Sequence, residues 1–300
     1  MPKADNTPET LLPYLQHKLE LTWQGGSEAS ADCPFCGYEG RFYVSQQSGM
    51  YHCKACSGGP KAGPNGGGNI FNFIRGLHDI SVTQTEPEML DLVAEERKIF
   101  PETLARWGLA QSALDGEWIL PAYGPKGEIN NLYRWVKVKD KRRLMGTKGL
   151  DACLFGTQFG FYTSKKPVYI PEGVWNAMAM EDACRQYKIS NGSFVKCFPE
   201  DSFRTTIEII GVPGAETFKD EWIPWFKGRE VFLGYDSDYP RRSKKTNAEM
   251  PPAGYSGMQA VARKLNGVAS EVNYIYWGPE GYNSELKPGY DVRDFLTETP

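Results

Sequence analysis

The sequence predicts a chain of mixed α+β and α/β character: a small cysteine-tied ribbon at the N-terminus, a mixed α+β subdomain, then an α/β domain with a mostly parallel sheet. Three observations predict it. Four of the seven cysteines form two C-x-x-C pairs within residues 33–56. Residues 117–139 read as two alternating strands about a Gly-Pro turn. From Pro167 onward, short apolar strands alternate with helical segments, the pattern of a doubly wound sheet.

Bulk composition narrows the possibilities further. The 300 residues suffice for about two domains with real cores. With 34 Lys plus Arg against 37 Asp plus Glu, the net charge of −3 excludes a uniformly basic nucleic-acid binder but leaves local charge open. No apolar run approaches the roughly 18 residues of a membrane span, so no membrane partner is expected. The opening MPKADNTPETLLPY lacks a basic-then-apolar leader, and a cytoplasmic protein is expected.

The first element is the ribbon. Cys33-Pro-Phe-Cys36 and Cys53-Lys-Ala-Cys56 are separated by sixteen residues, and each pair places two thiolates about one cation from a tight turn. Gly40–Ser45 and Met50–His52 read as short strands joined by Gln46–Gly49, which makes a zinc ribbon hairpin with Cys33, Cys36, Cys53 and Cys56 as ligands of one structural Zn2+. The competing reading is a redox dithiol or four unliganded thiols. His52 is not assigned as a ligand, because its place on the strand beside Cys53 turns it away. A shell of four thiolates leaves no position for water, so the metal would hold structure and supply folding free energy on the order of 10 kcal/mol. Cys153, Cys184 and Cys197 stand apart and read as core thiols.

Ser57–Gly68, SGGPKAGPNGGG, is too rich in glycine and proline for a helix or strand and reads as a tether; no G-x-x-x-x-G-K-[ST] motif occurs in the chain. An apolar helix opens at Asn69–Ile74. Helices follow over Met89–Trp107, broken at Pro101. Glu117–Tyr123, the turn Gly124–Gly127 and Glu128–Lys139 then form an antiparallel platform. Residues 134–148 hold seven basic residues against Asp140 alone. With Tyr133 and Trp135 interleaved, the stretch reads as a surface for single-stranded nucleic acid or nucleotide phosphates; the alternative is a solvated strand and turn.

In the last part, Val168–Pro171 is a strand that ends in Glu172-Gly173, and Val174–Gln186 a helix. Ile207–Ile210 is a strand, Thr217–Phe226 a helix, and Glu230–Tyr235 a strand that ends in Asp236-Ser237-Asp238. Gly257–Leu265 is a helix and Val272–Tyr276 a strand. Glu172, Asp236 and Asp238 therefore fall at strand C-termini, the edge where such sheets place their ligands. Carboxylates gathered there repel one another, and a hard divalent cation relieves the repulsion. Such a site suits phosphoryl or nucleotidyl transfer, although acids at strand ends are also common as plain loop residues.

At these residues the chain resembles a family. CPFCGYEGRFYVSQQSGMYHCKAC followed by GGNIFNFI resembles the zinc-binding domain of DnaG-type bacterial and phage primases, and VYIPEG with VFLGYDSD resembles their TOPRIM fold. WILPAYGPKGEINNLYRW and then LFG are similar to the N-terminal half of the primase RNA polymerase domain, so the resemblance spans roughly residues 30–300. It implies a zinc-binding ribbon over residues 1–58 and a linker with helix over 59–85. It further implies an N-terminal part of the polymerase domain over 86–165 and a TOPRIM catalytic domain over 166–300.

By the same resemblance, Glu172, Asp236 and Asp238 hold catalytic Mg2+ or Mn2+, and Arg134 and Lys148 guide template and nucleotide phosphates. GYDVRDFL resembles the family's later acidic motif and adds Asp291 and Asp294 as metal candidates. The implied activity is RNA primer synthesis from NTPs on single-stranded DNA, beside a replicative helicase on a separate chain or domain. The implied location is the nucleoid, or the host cytoplasm if the chain is phage-encoded. The alternatives are another TOPRIM enzyme, such as a nuclease or topoisomerase, and a noncatalytic single-stranded DNA-binding replication factor. The chain departs from the family at YPRRSKKTNAEMPPA, residues 239–253, a basic insertion read equally as solvated loop or phosphate contact.

Overall fold

The cysteine-bearing hairpin proves to be the middle of a larger sheet. The computed structural model describes residues 7–298 except 24–25, 57–65, 191–192, 197–205, 244 and 280. Strands β1 (Glu28–Ala31), β2 (Phe42–Ser45), β3 (Tyr51–Cys53) and β4 (Gly67–Gly68) pair antiparallel in that order. Two of these strands were not expected. The tether's last residues, Gly67 and Gly68, pair with His52 and Tyr51, so the glycine-rich stretch does end in a strand; its residues 57–65 lie outside the described residues. Glycine is required here, since a Cβ on Gly68 would stand 2.5 Å from Asn72 Oδ1.

A capping box starts the next helix. Asn69 Oδ1 accepts from the Phe71 and Asn72 N–H groups, and Asn72 Oδ1 accepts from Asn69 N–H. Helix α1 (Leu12–Gln16) and this helix, α2 (Ile70–Gln84), close over the inner face of the ribbon. Phe42 and Tyr51 stack at 4.9 Å, and Tyr14 and Phe73 meet at 4.8 Å. Each such buried side chain contributes roughly 1.5–3 kcal/mol, so this ribbon also has a hydrophobic core.

The chain divides into two compact units, Met1–Met89 with Gly108–Ala152 and Leu90–Trp107 with Cys153–Pro300. Between the two parts of the first unit run α3 (Pro87–Arg97) and α4 (Pro101–Arg106), with the expected break at Pro101. The first unit continues with a four-stranded antiparallel sheet: β5 (Ala110–Gln111), β6 (Trp118–Tyr123), β7 (Ile129–Val138) and β8 (Lys141–Met145). This is the expected platform with a further strand at either side.

In the second unit, β9 (Val168–Pro171), α5 (Val174–Gln186), the hairpin β10 (Tyr187–Ser190) and β11 (Ser193–Lys196), and β12 (Glu208–Ile209) follow in order. Next come β13 (Glu230–Gly234), the small hairpin β14 (Arg241–Arg242) and β15 (Glu249–Met250), α6 (Ala253–Leu265), β16 (Glu271–Tyr274) and α7 (Val292–Glu298). The sheet order is β12-β9-β13-β16 and every pairing is parallel, as the alternation predicted. Val168, Ile170, Val231 and Leu233 are fully buried, and Met258, Val261 and Leu265 of α6 join the same core. The helix expected at Thr217–Phe226 is instead a 3-10 segment, Asp220–Phe226, since Pro224 inside it removes a backbone donor.

Asp182 of α5 caps α4 from outside, accepting from Phe100 N–H at 2.7 Å and from the Thr103 hydroxyl; burial pushes its carboxyl up to about 6. The neighbouring buried Glu181 accepts from Trp107 Nε1 at 2.6 Å and pairs with Arg106. Cys153 and Cys184 are half-buried, not the core thiols expected, and Cys197 lies outside the described residues. Among the described residues no helix is long and apolar enough to cross a membrane.

Candidate metal centre and active site

The four cysteines come together. Their Sγ atoms all lie within 4.8 Å of one another, with Cys33 to Cys56 and Cys36 to Cys53 each at 3.8 Å. A tetrahedron of sulfurs about 2.3 Å from a central ion has edges of about 3.8 Å, so the shell has the dimensions of a closed thiolate site. Both turns are backbone-tied: Gly37 N–H donates to Cys33 O at 2.9 Å, and Cys56 N–H donates to Cys53 Sγ at 3.4 Å. Burial pushes the Cys33 thiol up to about 12 and that of Cys56 higher still. Burial also raises Cys53, but the backbone N–H groups of Cys56 and Ala55 and the neighbouring thiols outweigh it and hold Cys53 below its usual value. Four sulfurs at this spacing fit one bound cation, which would hold them as thiolates. His52 stays outside the shell, with Nδ1 3.7 Å from Glu28 Oε1 and its ring stacked on Tyr43.

The second site lies at the carboxyl ends of the adjacent parallel strands β9 and β13. Glu172 follows the last residue of β9, and Asp236 follows Tyr235 at the end of β13. Burial raises the Glu172 carboxyl to about 7, with help from the Asp238 and Asp291 charges; the backbone of Asp236 and Ala215 offsets part of the shift. Asp236 is held well above the ordinary carboxylate range by burial, then by the charges of Glu172, Asp291 and Asp238. Each acid is thus within electrostatic reach of the others. Their oxygens are not drawn into one tight cluster: among the described residues, only the cysteines have three or more donor atoms within 4.8 Å. The acidic site is wider.

The fit to a hard divalent cation rests on the donors themselves. Glu172 Oε2 is buried with no hydrogen-bond partner, whereas a buried carboxylate oxygen ordinarily has one. Asp236 Oδ1 accepts from Asn176 Nδ2 at 3.0 Å, and Asp238 Oδ2 accepts from Gly254 N–H at 3.0 Å, so each of these carboxylates is aimed by one contact. Oxygen donors, mutual repulsion and an orphaned buried oxygen together match a Mg2+-type site that takes one or two carboxylates and keeps its waters. A Cβ at Gly254 would stand 2.4 Å from Asp236 O, so only glycine admits the approach of α6 to this strand end.

Asp291 and Asp294 separate in role. They form a capping box at the start of α7: Asp291 Oδ1 accepts from Asp294 N–H at 2.9 Å, and Asp294 Oδ2 from Asp291 N–H at 3.2 Å. Asp291 also pairs with Arg293 at 3.1 Å and acts electrostatically on Glu172 and Asp236. Asp294 Oδ1 meets Lys287 Nζ at 2.5 Å, so the structure gives this residue a capping role and an ion pair.

The basic stretch is corrected at its first residue. Arg134 is 2% exposed and its guanidinium forks onto the Asp115 carboxylate, at 2.5 Å for the shorter contact, so it does not present charge to a ligand. Tyr133 and Trp135 are likewise buried and offer no stacking face. Lys137, Lys139, Lys141, Arg142, Arg143 and Lys148 are exposed and form the basic surface, with Arg142 over the Trp135 ring at 4.5 Å.

Sequence reasoning missed Asn176. Buried on α5, it donates from Nδ2 both to Glu172 O and to Asp236 Oδ1, at 3.0 Å each, and so joins the two strand ends. Its place four residues after Glu172, on the helix that leaves the site, was the available signal.

No family model matches the chain, and no curated protein matches it. Solved structures similar to it include the Aquifex aeolicus primase (zinc-binding and RNA polymerase domains), at 15% identity over 97% of this chain and 80% of that one, with a TM-score of 0.45. The primase fragment of the bacteriophage T7 primase-helicase protein is similar at 16% identity over 85% of this chain and 90% of that one, with a TM-score of 0.41. The E. coli primase catalytic core is similar at 12% identity over 71% and 74% of the two chains, with a TM-score of 0.47.

Proposed function

We propose that the chain is a DNA primase, a DNA-directed RNA polymerase that joins ribonucleotides on a single-stranded DNA template. The observation that carries this reading is the set Glu172, Asp236 and Asp238 at two adjacent parallel strand ends, with Asp291 in electrostatic reach and Glu172 Oε2 unpartnered. The motifs VYIPEG and VFLGYDSD, which resemble the primase TOPRIM fold, hold those residues. Mg2+ or Mn2+ bound there supplies activation of the attacking 3′ hydroxyl and neutralisation of charge on the α-phosphate. The chain's own part is positioning. Asn176 holds Asp236 against the β9 end, Gly254 N–H aims Asp238, and the sheet fixes the separation of the two strand ends before substrate arrives. The bond formed joins the 3′ oxygen of one nucleotide to the α-phosphorus of the next, and pyrophosphate leaves.

The four-cysteine site holds structural Zn2+ in this reading, and it keeps the ribbon as a surface for template and first nucleotides. The exposed Lys137–Arg143 hairpin tip and Lys148 supply phosphate contacts, and unwinding falls to a helicase on a separate chain or domain. The test is labelled NTP incorporation on short single-stranded DNA of varied sequence. Template-dependent RNA products that need added Mg2+ or Mn2+ support the reading. DNA degradation without NTP assigns the chain to nucleases, and binding without either activity assigns it to loading factors.

A further inference from the structure

The insertion at residues 239–253 follows Asp238 directly, and the structure makes it a built element. Arg241 and Arg242 pair with Met250 and Glu249 as β14 and β15, and the turn between them is closed by Ser243 N–H to Ala248 O at 2.9 Å. Three contacts fix its place. Its neck is closed by Asp238 itself, whose Oδ2 accepts from Gly254 N–H just past the insertion. Its first residue, Tyr239, donates its hydroxyl to Leu286 O at 2.6 Å, with Ser284 O 3.0 Å away as a second acceptor for the same proton. Arg241 reaches Glu216 Oε1 at 2.9 Å, one residue beyond Ala215, whose backbone acts on the Glu172 carboxyl. The hairpin is therefore rooted on one acid of the site and braced beside another.

Its exposed cations, Arg242 and Lys245, follow Asp238 by four and seven residues on this rooted hairpin and form no ion pair among the described residues; Lys244 lies outside them. Cations carried on an arm whose neck is closed by an acid of a metal site have a complement: a ligand that brings its own negative charge to the metal and has charge to spare beyond it. A polyphosphate does this, since one phosphate reaches the metal while the outer phosphates extend past it. We infer that the 239–253 hairpin is a polyphosphate-binding arm of the acidic site, in which Arg242 and Lys245 hold the outer phosphates of a nucleoside triphosphate and the Arg241–Glu216 contact sets the arm's position. This rests on the reading of the acidic site as a metal-dependent nucleotide site, and it gives that site its grip on the substrate's leaving group.

Isothermal titration of the full chain with inorganic tripolyphosphate and Mg2+ tests the arm without any catalysis. Wild-type binding that weakens about tenfold or more in the Arg242→Ala, Lys245→Ala double variant is expected, because two charge-assisted phosphate contacts are removed. Both side chains are exposed, and an unchanged Tm confirms that the variant is folded. Tyr239→Phe, which releases the hairpin's anchor but keeps its cations, is expected to weaken binding by less. The titration is repeated with a single-stranded DNA oligonucleotide, which the double variant is expected to bind as wild type does. Equal tripolyphosphate affinity in wild type and double variant, no wild-type binding, or a loss confined to the oligonucleotide overturns the inference. A wild type that binds tripolyphosphate through the arm but incorporates no NTP keeps the arm and removes the polymerase reading.

Discussion

The two candidate metal sites are built on opposite plans. The cysteine site draws four ligands from two turns within 24 residues, closes them to tetrahedral spacing and packs them over aromatic side chains. The acidic site draws its ligands from strand ends far apart in sequence, leaves them outside one tight cluster and keeps a buried oxygen unpartnered. A metal held by the first would have all four positions filled by cysteine, and could only hold the ribbon in shape. The second leaves its donors more widely spaced, and a metal bound there would keep positions for water and substrate, as chemistry at a metal requires. Ligand spacing and leftover hydrogen-bonding capacity, more than ligand charge, distinguish the two candidate sites.

Breaking the closed site has the largest expected effect on stability. Cys53→Ser with Cys56→Ser, or metal chelation, removes a contribution on the order of 10 kcal/mol and unfolds the ribbon, while the parallel-sheet unit keeps its own unfolding transition. Calorimetry with metal analysis reads both; a single unshifted transition after metal loss contradicts the closed-site account. The aromatic core over the ribbon blunts this loss, so Phe42→Ala on top of chelation sharpens the test.

Breaking the open site acts on activity instead. Asp236→Asn with Asp238→Asn lowers nucleotide incorporation by about a thousandfold or more, since metal chemistry contributes several kcal/mol to the transition state. Zinc content and Tm stay near wild type or rise. Asn176→Ala is intermediate: it frees Asp236 from its aiming contact and weakens Mg2+ or Mn2+ activation roughly 10- to 100-fold, read as the metal concentration for half-maximal activity.

The smallest effect is one of pH. The Glu172 carboxyl is raised to about 7 in the fold, so between the ordinary carboxylate range and that value the folded chain binds the proton more tightly than the unfolded chain. Its contribution to stability is therefore present at low pH and is lost as pH rises through about 7. Without added divalent metal, Glu172→Gln should match wild type near pH 5 and exceed it by on the order of 2 kcal/mol near pH 8. A difference independent of pH contradicts this picture of the site.

The cysteine ligands were legible in the sequence because their geometry is local: the spacing that closes the shell is the spacing in the chain. The acids were legible for another reason, that strand C-termini of a parallel sheet share one edge, which the alternation of strands and helices already announced. Arg134 shows where such reasoning stops. A charge run reports how many cations there are but not which are buried, and the partner that buries this one, Asp115, lies 19 residues earlier on another segment. Tyr133 and Trp135 failed likewise: their interleaving with cations read as a stacking surface, but Leu132–Trp135 are all buried, on both faces of the sheet. Asn176 was hidden because its role depends on Asp236, 60 residues away.

Whether the two sites hold different metals for different purposes is read by Mn2+ titration followed by electron paramagnetic resonance, with zinc content measured on the same samples. Asp236→Asn with Asp238→Asn is expected to lose Mn2+ binding and keep one zinc, whereas Cys53→Ser with Cys56→Ser is expected to lose zinc and keep Mn2+ binding. Wild-type Mn2+ affinity in the double aspartate variant would contradict this expectation.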